Sequence, residues 1–315
     1  MPNYNGVWSL STQYQNADTW NSDNPNPAIG LYAGGTTGSL LNVIDQFIIA
    51  TTANATDFGD LSATKEKLGA LGSSTRGVFG GGNTGSLINV IEFITFSTAG
   101  DVTDFGDILA SVDQIAGCAS STRGIFLGGF LGNNSQNVIQ YITIATAGNA
   151  TDFGNLSATR NALGALSSTT RGVACGGAFE SYLNILEYVT IASTGNVTDF
   201  GDLTLGRSEV GTGASPVRGL MMGGAAASIN RTNIVDYITI ASTGNATDFG
   251  DLTAASNGMA GCSNKTRAVA LGGSPLVNTM QYFTIDTTGN SSDFGDLSAA
   301  KGFGAACSNG HGGLA

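Results

Sequence analysis

Few residues in this sequence could carry out catalysis, and none of them form a recognisable catalytic set. The only histidine, His311, stands in a glycine-rich stretch near the C-terminus. One histidine provides neither a histidine-based metal site nor a Ser-His-Asp triad. We therefore predict no catalytic residue, no metal and no cofactor. The cysteines occupy repeat positions that are apolar in other copies, so we expect buried free thiols rather than disulfides: Cys118, Cys175, Cys262 and Cys307.

Two kinds of charged residue recur at fixed spacing and could instead bind ions. An arginine follows a Ser/Thr-rich turn at Arg76, Arg123, Arg171, Arg218 and Arg267. We expect these guanidinium groups to satisfy carbonyls and acids between repeats, with anion binding as the alternative. Nearly half of the acidic residues lie in Asp-Phe-Gly-Asp turns. We expect tight turns beside an exposed strand, with Ca²⁺ binding as the alternative.

These charged residues belong to a repeat whose period is 45 to 49 residues. Its six copies are marked by the aspartates Asp57, Asp104, Asp152, Asp199, Asp248 and Asp293. Each copy contains four short strand-like runs, which we call a, b, c and d, separated by Gly, Ser, Thr and Asn turns. A four-stranded unit repeated six times is typical of a β-propeller. The sequence therefore predicts an all-β protein, a six-bladed β-propeller over residues 29–315.

The spacing also predicts how the ring closes. The first unit starts at a b strand near Ile29, whereas the last is followed by an unpaired a strand over residues 303–308. We predict that this C-terminal strand becomes the inner strand of a composite first blade. Residues 1–28 form a separate arm that contains both tryptophans, Trp8 and Trp20. We expect the arm to dock on the propeller or on another protein, because clustered aromatics are usually buried.

Charge and hydropathy exclude other classes of partner. The net charge of −11 argues against nucleic-acid binding, which needs a basic surface. No stretch approaches the roughly 20 apolar residues of a membrane span, and residues 1–8 lack the pattern of an export signal. We expect neither a membrane span nor export by that route.

Differences among the six copies gather in two connections, and these predict a binding surface. All length variation lies between the b and c strands, and the d–a connections vary in charge. In a four-stranded blade both connections emerge on the same face, which we call the loop face. Aromatic rings and amides there would suit a glycan, and neutral drift is the alternative. The candidate binding residues are Phe130, Asn133, Asn134, Arg160, Phe179, Glu180, Tyr182, Arg207, Asn230 and Arg231.

The order of elements resembles the kelch repeat. Like kelch units, the copies have a diglycine ending strand b, a Tyr-bearing strand c and an aromatic in strand d, but Phe replaces the usual tryptophan and an arginine opens strand b in five copies. The runs Ser-Thr-Gly-Asn-Ala-Thr-Asp-Phe-Gly-Asp-Leu and Ser-Thr-Arg-Gly-Val-Phe-Gly-Gly-Gly are similar to repeats in kelch-like virion proteins of tailed phages, particularly marine cyanophages.

That resemblance implies a location and a set of partners. It implies a non-enzymatic protein on the surface of a phage particle, in the tail or the capsid. Its partners would be a host-surface glycan or other virion proteins, the latter through the arm with Trp8 and Trp20. A purely structural capsid or tail decoration protein is one alternative, and a propeller enzyme acting on carbohydrate is another.

Overall fold

The chain forms a six-bladed β-propeller, as the repeat predicts. A computed structural model describes residues 27–314, in which six small antiparallel sheets form a ring. The helical content of this part is a single 3₁₀ turn, Gly312–Leu314. None of its helices has the length and apolar character needed to cross a membrane.

Each blade has four strands, a to d from the central channel outwards. In blade 1 they are Ala305–Ser308, Ile29–Ala33, Val43–Ile48 and Thr56–Asp60. Blade 2 comprises Gly69–Gly72, Arg76–Gly80, Val90–Thr95 and Thr103–Asp107, and blade 3 Ala116–Ala119, Arg123–Leu127, Asn134–Thr143 and Thr151–Arg160. Blade 4 comprises Gly164–Ser167, Arg171–Cys175, Ile185–Thr190 and Thr198–Asp202, and blade 5 Gly211–Ala214, Arg218–Met222, Thr232–Thr239 and Thr247–Ser256. Blade 6 comprises Ala260–Ser263, Arg267–Leu271, Val277–Thr284 and Ser292–Lys301. Two-residue strands in the connections are Phe130–Leu131, Ala178–Phe179, Ser181–Tyr182, Arg207–Ser208 and Ala225–Ala226.

Blade 1 is the predicted composite blade. Its inner strand, Ala305–Ser308, pairs antiparallel with Ile29–Ala33. The strand is shorter than the sequence suggests, because Phe303 has a φ of 58° and turns the chain into the blade. The chain then continues to His311, whose Nε2 lies 2.8 Å from the carbonyl oxygen of Gly72 in blade 2. The two ends of the propeller are therefore joined by backbone hydrogen bonds in one sheet.

The hydrophobic core lies between neighbouring blades. Each Phe of the Asp-Phe-Gly motif is at most 4% exposed, and Phe58 of blade 1 packs in one cluster with Ile94 and Phe96 of blade 2. The motif glycine is required by the same contact. At Gly106 a Cβ would lie 2.6 Å from the backbone of Gly148 in the next blade, and φ is 142°. The repeated Phe-Gly pair thus fixes the spacing between blades.

The inner strands are rich in Gly, Ala and Ser because they approach each other closely around the channel. A Cβ on Gly117 would lie 2.4 Å from the carbonyl oxygen of Ala70 in the neighbouring blade. The four cysteines are buried and free, as predicted. The predicted arm, with Trp8 and Trp20, lies outside the described residues apart from Pro27 and Ala28.

Candidate binding site on the loop face

The repeated arginines hold consecutive blades together. Arg76 Nη1 donates a hydrogen bond of 2.9 Å to the carbonyl oxygen of Ile144, just after strand c of the next blade. Its guanidinium also lies 4.3 Å from the ring centroid of Phe93 in its own blade. The other four arginines do the same. Blade 1 has Ile29 instead of arginine, and Gln46 stands at its aromatic position. The expected role in satisfying carbonyls is confirmed, whereas none of the five arginines forms an ion pair with an acid among residues 27–314.

The Asp-Phe-Gly-Asp segments also join blades. The N–H of Asp107 donates to Asn149 Oδ1 of the next blade at 3.0 Å, and five equivalent bonds complete the ring. The repeated asparagine of the c–d turn is therefore the acceptor in five of these bonds, and Asp101 takes its place in the sixth. Within residues 27–314, no group of three or more His, Cys, Asp or Glu side chains is arranged to hold a metal ion.

Two predicted site residues, Arg160 and Arg207, lie inside the propeller rather than on its surface. Arg160 is 1% exposed and is ion-paired with Glu187, whereas Arg207 is fully buried with its Nη2 2.8 Å from Asp236. Burial lowers the pKa of both guanidinium groups, and the partner carboxylates counteract the shift. In this position neither side chain reaches a ligand on the loop face.

These pairs belong to a second repeated junction. A cation four residues before strand a reaches an acid in strand c of the blade to which that strand a belongs, as Lys65–Glu92 and Lys301–Asp45 also do. At the other two junctions neither the cation nor the acid is present: Val112 stands opposite Gln140 at one, and Ser256 opposite Gln281 at the other. The cation and the acid are therefore present or absent together. This covariation among the copies identifies both arginines as internal.

The loop face contains a cleft of about 930 Å³ between blades 3 and 4. Six of the ten predicted binding residues line it: Phe130, Asn133, Asn134, Phe179, Glu180 and Tyr182. The b–c loops and the d–a connections both contribute to the lining, so the two variable connections share a face as expected. Asn230 and Arg231 lie on an exposed loop of blade 5, outside this lining.

Two small hairpins form the walls of the cleft. In blade 3, Phe130–Leu131 pairs with the start of strand c around the turn residue Gly132, whose φ is 64°. In blade 4, Ala178–Phe179 pairs with Ser181–Tyr182, and Glu180 stands at the tip with a φ of 54°. Phe179 is 43% exposed, a large apolar surface for a residue beside a polar cleft. The hairpins therefore present an exposed ring and several amides to the same space.

The d–a connections form the floor and supply residues that the sequence analysis missed. Gln114, Asn161 and Glu209 line the cleft, and Asn161 Nδ2 donates to Ser135 Oγ at 2.8 Å, which ties the floor to the blade 3 hairpin. Burial raises the pKa of Glu209, while the Lys67 charge lowers it. Variation of the d–a connections pointed to this segment, but did not indicate which side chain faces outwards.

No protein-family model matches the chain, and a comparison with curated proteins found no significant match.

Proposed function

We propose that the chain is a non-enzymatic binding protein that recognises a surface glycan through the cleft between blades 3 and 4. The observation that carries the proposal is the convergence of two aromatic hairpins from adjacent blades on one cleft. Elsewhere the repeat is kept nearly constant by contacts between blades. The loop face is where the copies are free to differ, and a variable surface on a rigid repeated scaffold is a common arrangement in binding proteins.

The lining chemistry suits a carbohydrate. The exposed face of Phe179 can stack on the C–H groups of a sugar ring, and the amides of Asn133 and Asn134 can bond its hydroxyl groups. A volume of about 930 Å³ is within the usual range of small-molecule sites. The volume of the cleft, its exposed aromatic surface and its polar groups are therefore all compatible with a carbohydrate ligand.

The resemblance of the repeat wording to phage kelch-like proteins supports a place on the virion surface, in the tail or the capsid. Such a protein would meet host-surface glycans directly. The arm with Trp8 and Trp20 would then attach the propeller to other virion proteins. A purely structural decoration protein is the alternative, and labelling the chain in an intact particle distinguishes the two: tail tips favour recognition, and regular coverage of the capsid or tail tube favours decoration.

An enzyme acting on carbohydrate is a second candidate because two carboxylates, Glu180 and Glu209, line one cleft. Glycosidases use two carboxyl groups with different pKa values, and burial raises the pKa of Glu209. Release of reducing sugar by the wild type, lost in Glu209→Gln, would favour the enzyme. Binding without turnover favours the recognition protein.

Loop exchange tests the binding proposal. Replacing residues 130–136 and 178–183 with the short blade 6 sequence Ser274-Pro275-Leu276-Val277 should abolish glycan binding, measured by glycan array and calorimetry. The melting temperature should change little, because loop length already varies at this position. Substitutions at Asn54 and Ser121, on the opposite face, serve as controls. If these controls lose binding and the loop exchange does not, the cleft is not the binding site.

A further inference from the structure

The six d–a connections close a ring of hydrogen bonds around one mouth of the channel. In each blade the N–H of one residue donates to the carbonyl oxygen of the equivalent residue in the preceding blade, at 2.7–3.1 Å. We call this set the mouth ring: Lys67, Gln114, Ala162, Glu209, Gly258 and Phe303. Gln114, Ala162 and Glu209 also line the glycan cleft, so the cleft opens onto the channel mouth.

The backbone of the mouth ring is strained, and its side chains are kept in spite of that. All six residues have φ between 51° and 59°, a conformation that favours glycine. Only Gly258 is glycine, although the chain contains 47. Side chains held in such conformations are concentrated at functional sites. Retention of a side chain at a position that favours glycine is therefore most informative for the residues that face the cleft, above all Glu209.

Glu209 has no counterion in direct contact. Among the described residues its carboxylate has no ion pair within 4.0 Å and no hydrogen bond. Lys67, whose charge lowers the pKa of Glu209, forms its ion pair with Glu66, at 3.5 Å. Half-buried carboxylates normally acquire a partner, because loss of hydration disfavours their charge. The side chain is available for a cationic group of a ligand.

The lining of the cleft is acidic as a whole. It contains two carboxylates, Glu180 and Glu209, and no lysine or arginine. The chain carries a net charge of −11. A ligand with carboxylate, sulfate or phosphate groups would be repelled, whereas one with an ammonium group would be attracted.

We propose that the cleft recognises a glycan that carries a free primary ammonium group, with Glu209 as its counterion and Gln114 as a neighbouring hydrogen-bonding group. Glu209 lines both the cleft and the channel cavity of about 130 Å³, and because Lys67 also lines that cavity, the ammonium group would reach Glu209 from the cleft, whose lining contains no lysine or arginine. The aromatic hairpins contact the sugar rings, and Glu209 of the mouth ring binds the amino group. This inference rests on the proposed glycan binding and specifies the ligand class.

A matched pair of ligands tests the charge. Oligomers of β-1,4-linked glucosamine and of N-acetylglucosamine share a backbone and differ only in bearing ammonium or acetamide groups. By titration calorimetry at pH 6, we expect the wild type to bind the amino form at least about tenfold more tightly, the effect of one charge-assisted hydrogen bond. Equal affinity, or a preference for the acetylated form, would overturn the inference while leaving glycan binding intact.

Glu209→Gln should remove the preference and retain binding of the acetylated oligomer, which also shows that the variant is folded. Asp286→Asn, on an exposed turn of the opposite face, removes the same charge and should keep the preference. A preference unchanged in Glu209→Gln contradicts the assignment. Ethylammonium separates the two proposals: if it binds at Glu209 and no oligosaccharide binds, the ammonium site stands and the glycan function fails. If none of the probes binds, both fail.

Discussion

Breaking one buried ion pair should destabilise the propeller severely, and copying a neighbouring junction should repair it. Lys65 and Glu92 are each 1% exposed, with Nζ and Oε1 2.5 Å apart. Glu92 also accepts the N–H of Ser62, a bond that an amide can keep, as Gln140 does for the N–H of Leu109. Glu92→Gln therefore removes mainly the counterion of Lys65. We expect the free energy of unfolding to fall by about 3–5 kcal/mol, the usual cost of leaving a buried charge unpaired.

The double variant Lys65→Val with Glu92→Gln copies the junction that the chain itself uses at Val112 and Gln140. Because apolar replacement of a whole buried pair is often neutral, we expect its stability to lie within about 1 kcal/mol of the wild type. Urea unfolding of the wild type, both single variants and the double variant gives the coupling energy. If Glu92→Gln costs less than about 1 kcal/mol, or the double variant is as unstable as the sum of the singles, the account of the junction is wrong.

Three further predictions concern closure, the tail and the motif glycine. Deleting residues 303–315 removes the inner strand of blade 1 and should abolish the cooperative thermal transition; a truncated chain that melts like the full one would contradict the composite blade. Burial lowers the pKa of His311, so the neutral imidazole stabilises the folded state fully above its ordinary pKa of about 6.5, and this stabilisation is lost as pH falls towards the pKa of the folded state. Between about pH 8 and pH 5 the free energy of unfolding should therefore fall more in the wild type than in His311→Gln. Parallel curves of unfolding free energy against pH would contradict this. Gly106→Ala should lower stability by about 2–4 kcal/mol in denaturant unfolding, because its Cβ would meet Gly148; Gly148→Ala, with open space around its Cβ, is the control and should be nearly neutral, and similar losses in both would count against the contact.

The fold was predictable because the repeat supplies six independent copies of one pattern. Constant spacing identified the strands, and the missing a strand near Ile29 identified the composite blade, which is confirmed by its pairing with Ala305–Ser308. Similarly, an arginine present in every complete copy indicated a shared structural role rather than a local site, and the bonds between blades confirm this.

The candidate site was predictable only in part, because its residues vary from copy to copy. The hairpin residues Phe130 and Phe179 line one cleft, but Arg160 and Arg207 were assigned to the surface although they are buried. Exposure of a connection does not fix the direction of each side chain. The signal that was overlooked is the joint change of cation and acid between copies. The left-handed backbone at Glu209 could not be inferred from composition.

The most direct test of glycan recognition is an experimental structure of the chain with a bound oligosaccharide of glucosamine. We expect a sugar ring stacked on Phe179 between the two hairpins of the cleft, with an amino nitrogen within hydrogen-bonding distance of the Glu209 carboxylate. Density for the saccharide on the opposite face, among the repeated Asn-Ala-Thr-Asp turns, would contradict it.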